Sequence, residues 1–553
     1  VQQSEKLYQG FLEEMQALET FRMTYTAVHP EAALERDDPE VRRLIEAMAF
    51  FSARTRDSAL RNLLATRRRL FQQFFSFLLA PLPAMGLLQA KPTGRFAEPA
   101  VLPKGSEVLV TPEGGQGAFF RTVTDLRILP VWLDGIDMLL LPKEGYRLVI
   151  QISAAFPRND EIGTLPVLVT HLNNYNASLQ VLELIRRHVR RAFVVFDERA
   201  TEISDGPAVE LLFGPPPATD EAPQPLHPIQ EARSLLHFPE RELYVNFKLP
   251  SPPRNWRRFS LCVDLGPEWP KNLRLNKDLF QLFTVPIVNL RRMKAQPILC
   301  DGKIERYAIR YPDPTLKFAL HSVLGVYQIE KKGMTPLRPG IVLGGSGSYE
   351  IERSEGPDAS AETSWLKLQF PEAFEEPKKI SIDAEWFQPW FSALAATARL
   401  SVALYDRVIA GVDFDLQGEI RPHRENPLRN DVDGLLQMLA LKNKAVLNLD
   451  DVRTILNGLG TVGQGTFKQV AEWFTDLSVQ VAPKPRERGG IRHVYQFRMK
   501  DFDPTYRAIV EVLLRQLLRL LNAWVSDVEI AIEATTAGGG ERIALEPEAT
   551  ERL

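Results

Sequence analysis

The stretch with the most chemical promise is Gly458-Leu459-Gly460-Thr461-Val462-Gly463, which has the Gly-x-Gly-x-x-Gly spacing of a dinucleotide-binding turn. In that turn the glycines follow a strand, so that bare amides and a helix N-terminus can meet a pyrophosphate. Here residues 450–457 read as helix, and no βαβ pattern with an acidic residue ending a second strand accompanies them. Gly465-Thr466-Phe467 extends the likeness to a kinase glycine-rich loop. No strand lysine, His-Arg-Asp or Asp-Phe-Gly element follows it. The spacing suits a helix-ending loop, and a nucleotide-binding enzyme using residues 458–465 stays as the alternative reading.

The other candidates are weaker. Gly344-Gly345-Ser346-Gly347-Ser348 lacks the Lys-Ser/Thr ending of a phosphate-binding loop and reads as a turn between strands. Asp413/Asp415 and Asp431/Asp433 are paired carboxylates, but a calcium loop counted from Asp431 would need Glu where Lys442 stands. Asp431 and Asp433 are expected to stabilise the start of a helix near Gly434. The eight histidines show neither His-x-His nor His-x-x-x-His spacing, so no metal site is expected. Cys262 and Cys300 lie outside any Cys-x-x-Cys and read as small buried hydrophobes in or beside strands. No Gly-x-Ser-x-Gly elbow occurs. Arg67-Arg68-Arg69, with Arg54, Arg56 and Arg61, is the densest basic cluster and reads as the solvated or inter-subunit face of a helix. No catalytic, cofactor-binding or metal-ligating residue is therefore expected.

What remains is architecture. The 553 residues exceed a single domain of ~100–200 residues several-fold, and 44% apolar with 25% charged residues is ordinary for a globular protein. A net charge of −3 argues against nucleic acid as the main partner. Two cysteines supply no disulfide framework. No apolar run reaches the ~20 residues of a membrane span, and the stretch after Val1 lacks a secretory pattern. A soluble, cytosolic, multi-domain protein is expected.

The first eighty residues predict helices. Leu7, Phe11, Met15 and Leu18 form an amphipathic stripe ending near His29-Pro30. Asp38-Pro39-Glu40 is a helix start, with Asp38 as cap and Pro39 in the first turn. A third helix is expected over 58–79, apolar nearly all round through Phe71, Phe74, Phe75, Phe77 and Leu78, and so in need of a partner. Pro81 and Pro83 end it. Short Gly/Pro-bounded strands then dominate, with one helix over 178–191 and a proline-rich stretch from Gly214 to Pro228 as a linker and candidate hinge. The tail returns to helices at 434–447 and 449–456, strands at 477–481 and 493–499, a long helix after Asp503-Pro504 and a final strand over 525–533. Beyond Thr535 the chain is expected to fray. The fold class is α+β and multi-domain: an N-terminal helical region (1–84), two β-rich domains (85–228 and 229–380) and a C-terminal α/β sandwich (381–553).

Several blocks, in order, resemble the TssF family (also VasA or ImpG) of the bacterial type VI secretion system. They include Asp38-Pro39-x-Val41 with Leu44-Ile45-Glu46, and Leu79-Ala80-Pro81-Leu82-Pro83-Ala84-Met85. Val101-Leu102-Pro103-Lys104-Gly105 and residues 182–191 follow, and Leu282-Phe283-Thr284-Val285-Pro286-Ile287-Val288-Asn289-Leu290 is the most specific. The likeness spans residues 5–534 and is weakest over 341–425. It implies a non-enzymatic baseplate wedge subunit without cofactor, pairing as two copies with one TssG-like subunit. TssE- and TssK-like subunits and a VgrG-like spike hub would be further partners, at the cytoplasmic face of the inner membrane and without membrane insertion. Another phage-tail-like contractile injection system is the neighbouring alternative. On this resemblance Leu7, Phe11, Met15, Leu18, Phe71, Phe74, Phe75 and Leu78 are expected at subunit interfaces.

Overall fold

The computed structural model describes residues 2–32, 38–142, 145–217, 227–270, 273, 275–331, 333–340, 347–355, 362–371, 373–374, 376–429, 431–442, 444–462, 465–484, 490–525 and 528–547. It is an α+β chain with an N-terminal helical arm, β-rich middle regions and a C-terminal α/β layer.

The arm is a hairpin of α1 (Gln2–Val28) and α2 (Pro39–Leu79). Asp38 caps α2 through a 2.9 Å bond from the Glu40 amide, and Pro39 fills the first turn, where an amide would have no partner. The two helices run antiparallel. Ser52 donates to Glu14 at 3.0 Å, and Arg56 meets Glu13 and Glu14 at 3.3 Å each. The break expected between a second and a third helix is absent. Residues 52–58 hold neither Gly nor Pro, so nothing interrupts the hydrogen-bond ladder. The distortion falls later, at Phe75 (φ −139°, ψ 45°), just before the prolines end α2.

Past Pro83 the chain builds a six-stranded antiparallel sheet in the order Leu400–Leu404, Glu107–Pro112, Ala118–Thr122, Thr284–Val288, Met85–Pro92, Val412–Arg421. Its two outer strands follow one another in the chain and approach each other, so the sheet curls toward a barrel. The expected domain spans 85–228, 229–380 and 381–553 each contribute to it. Two four-stranded sheets stand beside it. One is centred on Tyr146–Arg158 and Trp256–Leu265, the other on Tyr244–Lys248 and Thr164–Val169. Helix α3 (Tyr175–His188) packs on Thr164–Val169, and both α3 and α4 (Pro228–His237) pack against the long helix at Arg507–Trp524. Most of the Gly214–Pro228 stretch expected as a hinge lies outside the described residues. A second core, around Val326, Leu366, Ile380, Ile382 and Trp386, fills a separate pair of sheets drawn from residues 291–387.

After the short α5 (Phe391–Ala395), α6 (Val432–Lys442) and α7 (Leu449–Gly458) pack together, and α8 (Lys468–Ala471) leads into the last sheet. Asp431 accepts from the Gly434 amide at 2.9 Å, as a residue beginning α6 should. The sheet runs Phe474–Pro483, Ile491–Met499, Glu529–Thr536, Arg542–Leu545. Its middle pair is parallel, the crossover being α9 (Arg507–Trp524), whose Leu513, Leu517 and Leu520 are fully buried. The tail expected to fray past Thr535 instead adds the strand Arg542–Leu545, antiparallel to the one before it.

Candidate functional site: the arm and its socket

Where α2 ends, nearly every backbone carbonyl from Phe77 to Ala84 is held by a residue distant in sequence. The last carbonyls of a helix have no partner within it, and burying them unpaired is costly. Arg233 on α4 answers this. Its guanidinium donates to Phe77 O (2.9 Å), Ala80 O (2.8 Å) and, from the other side, Leu459 O just past α7 (2.9 Å). Arg233 is 3% exposed, and among the described residues no carboxylate pairs with it. It lies between the C-terminal ends of α2 and α7, where aligned peptide dipoles concentrate partial negative charge. Burial lowers its pKa to about 10, still high enough to keep it charged at neutral pH.

One turn along α4, His237 donates from Nε2 to Pro83 O (2.9 Å), while His321 reaches Pro81 O (3.1 Å). Leu82 and Arg424 exchange backbone bonds of 2.8 and 2.9 Å, and the Asn289 amide takes Ala84 O at 2.8 Å. Burial drives the His237 pKa down to about 3 and lowers that of His321 too, so both rings are neutral donors. Asn289 has a second task. Its side chain donates to Phe119 O and accepts from the Gln388 amide, both at 2.8 Å, splicing the six-stranded sheet to the second β body. At the same joint Glu385 accepts from Arg121 (2.6 Å), Arg292 (3.2 Å) and Ser322 (2.9 Å).

The socket corrects part of the expected interface. Phe71, Phe75 and Leu78 are buried within the chain, Phe75 stacking on Trp524 of α9, so they have no surface left for a partner. The Phe74 side chain lies outside the described residues. Leu7, Phe11, Met15 and Leu18 are half-buried, on the side of α1 that carries Gly10 and Glu14, which meet Ala53 and Ser52 of α2. Other residues form the outward apolar ridges of the arm. Phe21, Tyr25 and Val28 on α1, and Leu44, Met48 and Phe51 on α2, each follow i, i+4, i+7 spacing. Phe21, Leu44 and Phe51 are 66, 62 and 64% exposed. The signal for them was present as a second apolar stripe beside the first, and helical periodicity ranks neither as inner or outer. Of the basic cluster, Arg54 and Arg56 are exposed, Arg67 is half-buried, and the side chains of Arg61, Arg68 and Arg69 lie outside the described residues.

The glycine loop is part of the socket. Gly458 ends α7, and Leu459, Thr461 and Val462 are buried. A Cβ on Gly460 (φ +74°) would stand 2.8 Å from Pro427 Cδ, and one on Gly458 2.9 Å from Met438 Cε. These glycines let the helix end pack tightly, and Arg233 and Arg424 occupy the carbonyls of Leu459 and Thr461. Gly463 lies outside the described residues, as do Gly344, Gly345 and Ser346. Burial pushes the Cys262 thiol up to about 12, far from a reactive thiolate. Among the described residues no group of three or more His, Cys, Asp or Glu side chains could hold a metal.

The description "Type VI secretion system, TssF" belongs to the family model that matches residues 4–341, more than half of the chain. The chain belongs to the TssF family. No curated protein matches it. Among solved structures, a TssK-TssF-TssG baseplate subcomplex of the type VI secretion system contains a chain similar in fold, with TM-score 0.73 at 16% identity over 93% of this chain and 99% of that one. A chain of the type VI secretion baseplate complex matches with TM-score 0.65 at 15% identity over 99% of both. The TssF-type fold thus extends through the C-terminal sheet, beyond the span of the family model. Among the described residues no helix is long and apolar enough to cross a membrane.

Proposed function

We propose that this TssF-family chain is a non-enzymatic structural subunit of the type VI secretion baseplate wedge. Two copies would join one TssG-like subunit, with TssE- and TssK-like subunits attached, and six such wedges would surround a VgrG-like spike hub at the cytoplasmic face of the inner membrane. The observation that carries this reading beyond family membership is the arm: two apolar ridges on a rigid helical hairpin whose base is clamped by Arg233, His237 and His321. Contiguous exposed apolar side chains of this kind mark a protein–protein contact. Covering each large side chain is worth roughly 1.5–3 kcal/mol before association costs. The arm would take the TssG-like subunit and the second copy, with Leu7, Phe11, Met15 and Leu18 holding the hairpin in shape.

Co-expression with the neighbouring baseplate subunits, followed by native mass measurement, tests the reading. A complex of two copies of this chain and one TssG-like subunit is expected, and Leu44→Asp with Phe51→Asp should abolish it while leaving the melting temperature of the isolated chain unchanged. A stable monomer that ignores its neighbours would sink the proposal.

A further inference from the structure

Residues 291–386 leave the main body and return to it at one place. Leu290 and Phe387, on either side, still belong to the main apolar core. The strand Arg291–Lys294 pairs antiparallel with Lys378–Phe387, and Arg291 sits opposite Trp386, so entry and exit run side by side. Among the described residues, the strands drawn from this stretch share no sheet with the rest of the chain, and their buried apolar side chains form a core of their own. Phe119 and Phe318 meet across the joint, ring centroids 6.1 Å apart, yet the buried cores on its two sides stay separate. The angle between the two bodies is therefore not set by a shared apolar core.

Ion pairs and amide bonds hold it instead. Arg121 meets Glu385 at 2.6 Å, and Arg291 forks onto both oxygens of Glu107 at 2.8 and 3.0 Å. At the crossings the Gln388 amide donates to the Asn289 side chain, and the Gln388 side chain accepts from the Phe119 amide, each at 2.8 Å. From the far body, His321 and Arg353 reach the carbonyls of Pro81 (3.1 Å) and Leu79 (3.5 Å) at the root of the arm. Separating such a joint differs from separating an apolar one. Each freed carboxylate and guanidinium regains its hydration, which returns much of the lost Coulomb energy. Freed apolar surface receives no such return from water.

We propose that residues 291–386 are a hinged insert that swings as one body about the Asn289/Gln388 crossing. Arg121–Glu385 and Arg291–Glu107 are the latch that holds it closed. The hinge lies in the few residues at the ends of two paired strands, where a small backbone rotation moves a whole body. Because the insert also grips Leu79 and Pro81, opening frees the root of the arm, and the arm biases the latch in return.

Single-molecule energy transfer on the full chain tests this. Dyes attach at Ile203→Cys in the main body and Met334→Cys in the insert, both exposed, while Cys262 and Cys300 are buried and stay unlabelled. A second narrow population, no more than about a tenth of the parent molecules, should become the larger one in Glu107→Gln/Glu385→Gln. Amides 380–386 should stay as protected from hydrogen exchange in that variant as in the parent, because the insert moves without unfolding. One unchanged population in the variant overturns the proposal. A second population in which those amides lose protection overturns it too, since that is local unfolding and no hinge. Neither result bears on the assembly reading, because the isolated chain carries both bodies.

Discussion

Phe75 and Trp524 stack face to face, ring centroids 4.9 Å apart and planes within 1°, although 449 positions separate them in sequence. Phe75 is the residue at which α2 leaves helical geometry, and Trp524 is the last residue of α9. The kink thus lays one ring of the arm on the C-terminal layer. Trp524→Ala should cost ~3–5 kcal/mol. A double-mutant cycle with Phe75→Ala should give a coupling of about 0.5–1.5 kcal/mol in denaturant unfolding. Zero coupling would reduce the stack to mere proximity.

Arg233 spans the ends of α2 and α7. Arg233→Lys keeps the charge but replaces a planar fork with a single ammonium, which cannot serve three carbonyls in that geometry. A loss of ~2–4 kcal/mol is expected, since each buried carbonyl left unpaired costs about 1–3 kcal/mol. Limited proteolysis should then cut faster between Phe77 and Ala84. Unchanged cleavage would mean that the socket does not depend on the clamp.

His237 makes stability depend on pH with a definite sign. Its folded pKa is depressed to about 3 from an ordinary 6.5 by burial, and the Pro83 bond opposes this only in part. Between those limits the unfolded chain binds a proton that the folded chain refuses. Stability therefore falls on acidification from pH 6.5 toward pH 3, at about 1.4 kcal/mol per pH unit for this one group. His321, lowered in the same direction, adds to the slope. In His237→Gln, which retains a donor for Pro83, the acid limb should be shallower; an unaltered limb would assign the acid sensitivity elsewhere.

The glycine loop separates the assembly reading from the enzyme reading. Gly460→Ala meets Pro427 at 2.8 Å with φ at +74°, so about 1–3 kcal/mol of destabilisation is expected. Saturating ATP or NAD should leave the melting curve of the parent unmoved. A nucleotide-dependent rise in the parent, lost in the variant, would restore the enzyme.

The cap at Asp38 and the helix start at Asp503-Pro504 were legible because they rest on local geometry: in both, an aspartate side chain reaches the amide two residues on. The proline stop after Leu79 is legible for the same reason. The glycine spacing was legible as a loop, because the residues before it have a helical period.

The arm marks the boundary of such reasoning. A 3.6-residue period shows that a helix has an apolar face, but not whether that face is covered by the same chain, by another chain or by water. Phe71, Phe75 and Leu78 went inward, while Leu44, Met48 and Phe51 stayed outside. Arg233 carried no motif at all, because its partner Phe77 lies 156 residues away and is recognised only through a backbone carbonyl, a group every residue possesses. By itself the sequence determined the elements, the poverty of chemistry and, through ordered blocks such as 282–290, the family. Only the tertiary structure decided which apolar faces remain free and what anchors the arm, because burial and backbone hydrogen bonds depend on where distant segments meet and not on the identity of their residues.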